Sequence, residues 1–283
     1  MTRQKLALLL LLLTGCKPGE PGTLTVCADP NNLPFSNRAE QGFENRIVRM
    51  VASGLGRKLR YVWWAQRRGY VSNTLGEGEC DLWPGVATGV EMLATTRPYY
   101  RSSYMFVTRQ DRNLGKLTLD DVRLKTLRIG VQMIGDDGMN TPPAHALAGR
   151  GIIGNVRGYL VYGDYRNPVP SSAIIDAVSD GAIDVALVWG PLAGWAAKHS
   201  RVPIRLEPVT PWLDHARWPM IYDISMGVRK DDPELKSKIE KLLAVNAATI
   251  RSTLREYNVP QVEDRARPDA SRRRGTKLPD YHF

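Results

Sequence analysis

Apolar positions along the chain come in short runs separated by amphipathic stretches, the rhythm of alternating strands and helices. Leu24 to Asp29 reads as a short buried strand, and Gly42 to Gly54 carries Ile47 and Val51, with Leu55 just beyond, at i, i+4, i+8, one face of a helix. Lys58 to Trp64 predicts a second strand and Arg68 to Glu77 a helix stopped by Gly78. Cys80 to Trp83 predicts a third strand that turns at Pro84-Gly85. The same order recurs as Leu127 to Gln132, Tyr159 to Tyr162, a helix from Ser172 to Ser179, Gly181, and Ile183 to Trp189. Leu24 and Leu127, Leu75 and Val178, Gly78 and Gly181, and Asp81 and Asp184 all stand 103 residues apart, which predicts two α/β lobes, each with a mostly parallel sheet flanked by helices.

An open parallel sheet places its ligand outside the carboxyl ends of its strands, so two such sheets facing one another make a cleft with a hinge. Residues 24–109 and 217–260 are expected to form lobe 1, and residues 110–216 the hinge and lobe 2. The hinge candidates are Met105 to Arg109 with the linker to Asp120, and Pro208 to Ile221. Ile221 to Arg229 reads as a strand. Pro233 to Tyr257 predicts one long helix with Leu235, Ile239, Leu242, Leu243, Ile250 and Leu254 on a face that would pack on lobe 1. Residues 261–283, with Arg272-Arg273-Arg274, read as a loose tail.

The chain's start changes the picture. Arg3 and Lys5 precede the apolar run Leu6 to Leu13, far short of the roughly 20 residues that span a bilayer, and small residues follow: an export signal over residues 1–15. Leu13-Thr14-Gly15-Cys16 resembles a bacterial lipobox, in which Cys16 would be diacylated and residues 16–23 would tether the protein to a membrane of the bacterial periplasm. An ordinary cleaved signal with an incidental cysteine is the alternative. Cys27 and Cys80 then remain as an even pair in an oxidising compartment, where a disulfide is worth about 4 kcal/mol in the chain-entropy model. Two buried free thiols are the plainer possibility. The 283 residues carry 39 Lys and Arg against 29 Asp and Glu, a formal +10 that becomes +8 when Arg3 and Lys5 leave with the signal. The basic residues are scattered and no nucleic-acid motif accompanies them, which argues against nucleic acid and leaves a general attraction to acidic surfaces.

Candidate chemistry clusters at the strand ends. The loop Asp29 to Asn37 presents Asp29, Asn31, Asn32 and Phe35; Trp64, Arg67 and Arg68 follow the second strand; Trp83 and Gly85 follow the third. Arg97, Tyr99 and Arg101 approach from the next segment, and lobe 2 contributes Gln132, Asp136, Asp137, Trp189 and Trp195. Aromatics beside polar groups suit a flat or apolar ligand held by stacking and a few hydrogen bonds. Each residue also has a structural reading: tryptophans as packing, Arg67 and Arg68 as a solvated helix flank, Asp136-Asp137-Gly138 as a helix-capping turn. Metal-ligand spacings are absent, so no metal is expected. His145, His199, His215 and His282 are dispersed, and of the acids available to an enzyme, Asp29, Glu44 and Asp184, the last is mirrored by Asp81 and reads as structural. No catalytic residue and no cofactor are assigned.

Two mirrored lobes, an export signal and a returning C-terminal helix look like the type 2 periplasmic solute-binding proteins. Within them, Cys27 to Asn37, Gly42-Phe-Glu-Asn-Arg46, Trp64-Ala-Gln-Arg-Arg68 and Thr95 to Ser103 are similar to one branch, the J component encoded with periplasmic quinoprotein methanol dehydrogenases (MxaJ/XoxJ type), over about Leu24 to Tyr257. The lipobox departs from the plain secretory signal of many members. The resemblance implies the two-lobe periplasmic binding protein type 2 fold and a non-enzymatic accessory role in assembly or activation of a methanol dehydrogenase dependent on pyrroloquinoline quinone (PQQ). It also implies the dehydrogenase's cytochrome c as a further partner; the quinone and its calcium or lanthanide belong to the dehydrogenase. Amino-acid receptors of this fold place an arginine shortly after the third strand and an aspartate after its lobe-2 counterpart. Here Gly85 to Met92 and Trp189-Gly190-Pro191 stand instead, which disfavours a zwitterion. An importer receptor for a neutral or aromatic small solute is the alternative function. An enzyme ranks third, since dehydratases occur on the fold.

Overall fold

The structure, a computed structural model, describes residues 22–67, 69–135, 140–162 and 164–263. Lobe 1 begins with β1 (Thr23–Ala28), the short pair β2 (Asn31–Asn32) and β3 (Ser36–Asn37), α1 (Phe43–Gly54), β4 (Lys58–Trp63), β5 (Leu82–Ala87), β6 (Ala94–Thr95) and β7 (Tyr100–Arg109). Lobe 2 holds β8 (Ile129–Met133), α2 (Pro142–Gly149), β9 (Val156–Leu160), α3 (Ala173–Ser179), β10 (Val185–Trp189), α4 (Gly190–His199), β11 (Ile204–Pro208), β12 (Leu213–Asp214) and β13 (Trp218–Pro219). The chain returns through β14 (Ile221–Val228), α5 (Pro233–Val245) and α6 (Ala247–Glu256).

In each lobe three strands run parallel, β4-β1-β5 and β9-β8-β10, because each connection between them crosses over rather than turning back. The 103-residue repeat rests on one bond pattern used twice. Asp81 donates its N–H to the Thr25 carbonyl at 2.8 Å and accepts the Thr25 N–H on Oδ2 at 2.9 Å. Asp184 does the same with Arg128, at 2.8 and 2.9 Å, and also takes the Arg128 guanidinium at 2.8 and 3.1 Å. Gly78 and Gly181, at φ +73° and +71°, make the left-handed turn that precedes each aspartate. Asp184 is a strand-locking residue.

The two lobes share a strand. β7 pairs with β14 up to Ser103, then with β10 from Tyr104 and β11 from Met105, so one ladder leads from sheet to sheet. β14 lies against β5 and β7, and Arg101 on β7 donates to its cross-strand neighbour Asp223 at 2.6 Å. The lobe-1 core joins Phe43, Val48 and Val51 of α1 to Leu235, Ile239, Leu243, Ile250 and Leu254 of α5 and α6. Beyond α6 the chain reaches lobe 2, where Asn258 donates to the Gly194 carbonyl at 2.7 Å; the Pro260 carbonyl accepts the Ser102 hydroxyl of β7 at 2.6 Å. Cys27 and Cys80 form a disulfide within lobe 1.

Several local expectations are corrected. The single helix from Pro233 to Tyr257 is two, meeting at Asn246, which leaves helical geometry at φ −97°, ψ 15°; its backbone N–H at 3.0 Å and its side-chain amide at 2.9 Å both donate to the Leu242 carbonyl and cap the first helix. Where a helix was expected over Arg68 to Glu77, residues 69–78 make successive turns: Gly69 sits at φ +81°, and the Thr74 hydroxyl donates back to the Tyr70 carbonyl. The third strand does not turn at Pro84-Gly85 but runs through to Ala87. Its pairing with β14 shifts register between Ser225 and Gly227, an irregularity opposite Pro84 where a missing N–H costs no regular ladder bond. Among the described residues no helix is long and apolar enough to cross a membrane. Residues 1–21, with the signal and Cys16, and residues 264–283, with the arginine triplet, lie outside the described residues.

Candidate functional site

Where the carboxyl ends of β1 and β5 face those of β8 and β10, the lobes enclose a cavity of about 210 Å³. Lobe 1 lines it with Asn32, Phe35, Glu44, Gln66, Trp83 and Gly85, and lobe 2 with Gln132, Ile134, Thr141, Tyr162, Ser171, Trp189 and Leu192, among others. The strands that join the lobes add Tyr100 and Tyr104 from β7 and Tyr222 and Ile224 from β14. Of the residues expected at the cleft, Asn32, Phe35, Trp83, Gly85, Gln132 and Trp189 line it. Gln132 positions Trp189 by accepting its backbone N–H at 2.8 Å, and the Thr141 hydroxyl holds the Gln132 carbonyl at 2.6 Å. The Trp189 ring meets Tyr104 and Tyr222 edge-on, with centroids 5.3 and 5.8 Å away.

Glu44 supplies the charge chemistry. It stands in the first turn of α1, its N–H bonded to the Phe35 carbonyl at 3.0 Å, and it is 4% exposed. Gly85 makes room for it, since a Cβ there would overlap Glu44 Oε1. Burial, and then the nearby Asp29 charge, push the carboxyl up to about 8, so it is mostly a neutral acid at pH 7. Two donors buried nearby, the Tyr70 hydroxyl and the Trp83 indole N–H, have no acceptor among the described residues. No lysine or arginine is among the described residues lining the cavity, so an α-amino acid carboxylate meets no cation there. Nor, among the described residues, does any group of three or more His, Cys, Asp or Glu side chains form a metal site.

Residues 24–255 match the bacterial extracellular solute-binding proteins, family 3. The chain belongs to that family. It is 34% identical to Protein MoxJ of Paracoccus denitrificans over 257 residues, 84% of this chain and 88% of that one. The crystal structure of the periplasmic binding protein XoxJ from Methylobacterium extorquens AM1 is similar at TM-score 0.70 and 37% identity, over 86% of this chain and 100% of that one. MxaJ from Methlophaga aminisulfidivorans MPT gives TM-score 0.70 at 25% identity, over 85% and 100%.

In this family 3 chain the other expected residues take different posts. Asp29 is buried beside the cavity and ties the lobes: its Oδ2 accepts the Gln66 N–H at 2.8 Å and the Tyr165 hydroxyl of lobe 2 at 2.5 Å. Asn31 donates to the Asn167 carbonyl at 2.9 Å, and the Arg67 guanidinium lies 5.0 Å over the Tyr165 ring. Asp29, Asn31 and Arg67 therefore form a latch across the mouth. Trp64 is 45% exposed, and Arg97 is exposed with its backbone N–H on Glu240. Tyr99 donates to the Pro84 carbonyl at 2.8 Å, and Trp195 packs on the α4 side of the lobe-2 core against His199. None of these four, nor Arg101, lines the cavity. Arg68, Asp136 and Asp137 lie outside the described residues. Tyr100 stands in the segment Thr95 to Arg101 expected to approach the cleft, whereas Tyr104 and Tyr222 were missed because sequence reasoning sought ligand groups at strand ends and these project from strands that cross between lobes. Tyr165 sits in a loop without any periodic signal.

Proposed function

We propose that this chain is a non-enzymatic accessory protein of the bacterial periplasm that assists assembly or activation of a PQQ-dependent methanol dehydrogenase. The similarity to MoxJ, XoxJ and MxaJ over more than four-fifths of the chain carries the reading. The cavity supports it from the negative side, because its described lining offers no lysine or arginine to meet the carboxylate of an α-amino acid. A two-lobe cleft fits a holding role: it engages a segment of the dehydrogenase before the quinone and its calcium or lanthanide are in place. The net positive charge attracts an acidic partner, and a lipid on Cys16 would keep the protein at the membrane beside the dehydrogenase and its cytochrome c.

The test mixes the purified protein with a metal-depleted quinoprotein methanol dehydrogenase, adds quinone and metal, and follows dye-linked alcohol oxidation. A rise in recovered activity that is lost when Trp83 and Trp189 are replaced supports activation through the cleft. No rise and no complex at low salt overturns the reading in favour of an importer receptor.

A further inference from the structure

We propose that the cavity binds a small organic ammonium cation, with the Glu44 carboxylate as counter-ion and aromatic rings as walls. The inference stands apart from the accessory role and does not rest on it. Of the described residues that line the cavity, Glu44 is the one acid, and none is a lysine or arginine. Trp83, Tyr100, Tyr104, Trp189 and Tyr222 surround the same space, and Tyr104, Trp189 and Tyr222 contact one another edge-to-face. Ring faces beside a single carboxylate are the chemistry that recognises alkylated ammonium groups, because the ring quadrupole attracts a cation without requiring it to donate hydrogen bonds. A cavity of about 210 Å³ lies below the roughly 300–1,000 Å³ of pockets for drug-sized ligands, so the cation is small. An anionic or zwitterionic ligand would bury a negative charge beside Glu44 with no described cation to meet it.

The electrical surroundings of Glu44 give the site a signature. The groups that face it are Asp29 from the loop after β1, Tyr61 of β4, Tyr70 of the turn segment, Tyr99, and Tyr100 of β7. Burial first, and the Asp29 charge second, leave the carboxyl holding its proton until a cation arrives, with a pKa of about 8; the four phenols, themselves held neutral by burial, offer it no positive charge. Cation binding must therefore release that proton, and apparent affinity should climb about tenfold from pH 7 to pH 9.

Calorimetric titration of the purified protein with choline, tetramethylammonium and 3,3-dimethylbutan-1-ol, the uncharged isostere of choline, tests the site. Expected are choline binding at least tenfold tighter than the isostere, an affinity about tenfold higher at pH 9 than at pH 7, and a heat at pH 7 that depends on buffer ionisation. Glu44→Gln should abolish both the charge preference and the pH slope. Trp189→Phe, which keeps the acid, should weaken choline several-fold with the slope intact. Equal binding of the isostere, a flat pH profile, or no binding of either cation overturns the proposal. None of these readouts involves a dehydrogenase, so failure here is separable from failure of the accessory role.

Discussion

Replacing Glu44 by glutamine should remove a fall in stability with rising pH whose size can be worked through. The carboxyl titrates at about 8 in the folded chain against an ordinary 4.5, chiefly through burial. Between those values the folded chain holds a proton that the unfolded chain has released. Its contribution is therefore fully present below about pH 4.5 and is lost as pH rises toward 8, at up to about 1.4 kcal/mol per unit. Over that window the loss reaches roughly 5 kcal/mol, comparable with the whole stability of many domains. Glutamine has the same shape and no proton to lose. Urea unfolding at unit steps from pH 5 to 9 should give matching curves at the acid end and a Glu44→Gln variant several kcal/mol more stable at pH 9. A cleft that opens to hydrate the ionised carboxylate would relieve part of the cost, and small-angle scattering would record it as a larger radius of gyration at high pH. If the two proteins run parallel across the whole range and scattering does not change, burial of Glu44 is refuted.

Tyr165→Phe keeps the ring beneath Arg67 but removes the hydroxyl that donates to Asp29; such a bond to a carboxylate is worth about 1.5–3 kcal/mol, so the open form should gain at least tenfold. An unchanged radius of gyration by scattering would show that other contacts hold the lobes. Asp184→Asn should cost about 1–3 kcal/mol at pH 7 by thermal melting, more than Asp81→Asn, whose neighbouring Arg229 is 3.7 Å away rather than doubly bonded. The Arg128 guanidinium holds the Asp184 carboxyl below its ordinary value, so its stabilisation is present above about pH 4 and fades as pH falls further, and the variant should lose that acid sensitivity. Gly194→Ala would normally strengthen a helix by about 1 kcal/mol, yet a Cβ there would overlap the Asn258 carbonyl. A lower melting temperature is expected, and a higher one would mean that the segment after α6 does not dock on α4.

The frame of the protein is written in local terms. The 103-residue repeat was legible because each copy needs the same short-range devices: a left-handed glycine, an aspartate three residues on, and a strand of apolar residues. The structure gives both pairs the same turn and the same backbone bonds, at Gly78 and Asp81 and again at Gly181 and Asp184. Apolar spacing likewise marked α1 and the face of α5 and α6, since helical periodicity depends only on neighbours along the chain. The break at Asn246 escaped because a single residue leaves helical geometry there while the apolar spacing runs on through it, so the periodicity does not record it.

The site belongs to the tertiary structure. Phe35, Trp83 and Trp189 could be named from strand ends, but Arg97, Arg101 and Trp195 are equally polar or aromatic and face elsewhere. Glu44 in sequence is an ordinary acid in the first turn of a helix. It becomes the chemical centre of the cavity only because Gly85, 41 positions away, leaves space for it and because two lobes close over it, removing the water that would otherwise keep it ionised. Asp29 and Tyr165 are 136 residues apart and meet only across the cleft. Sequence determines which segments can be strands and helices because those preferences are local. Burial, and with it the charge state of Glu44, is a property of what the rest of the chain places around it.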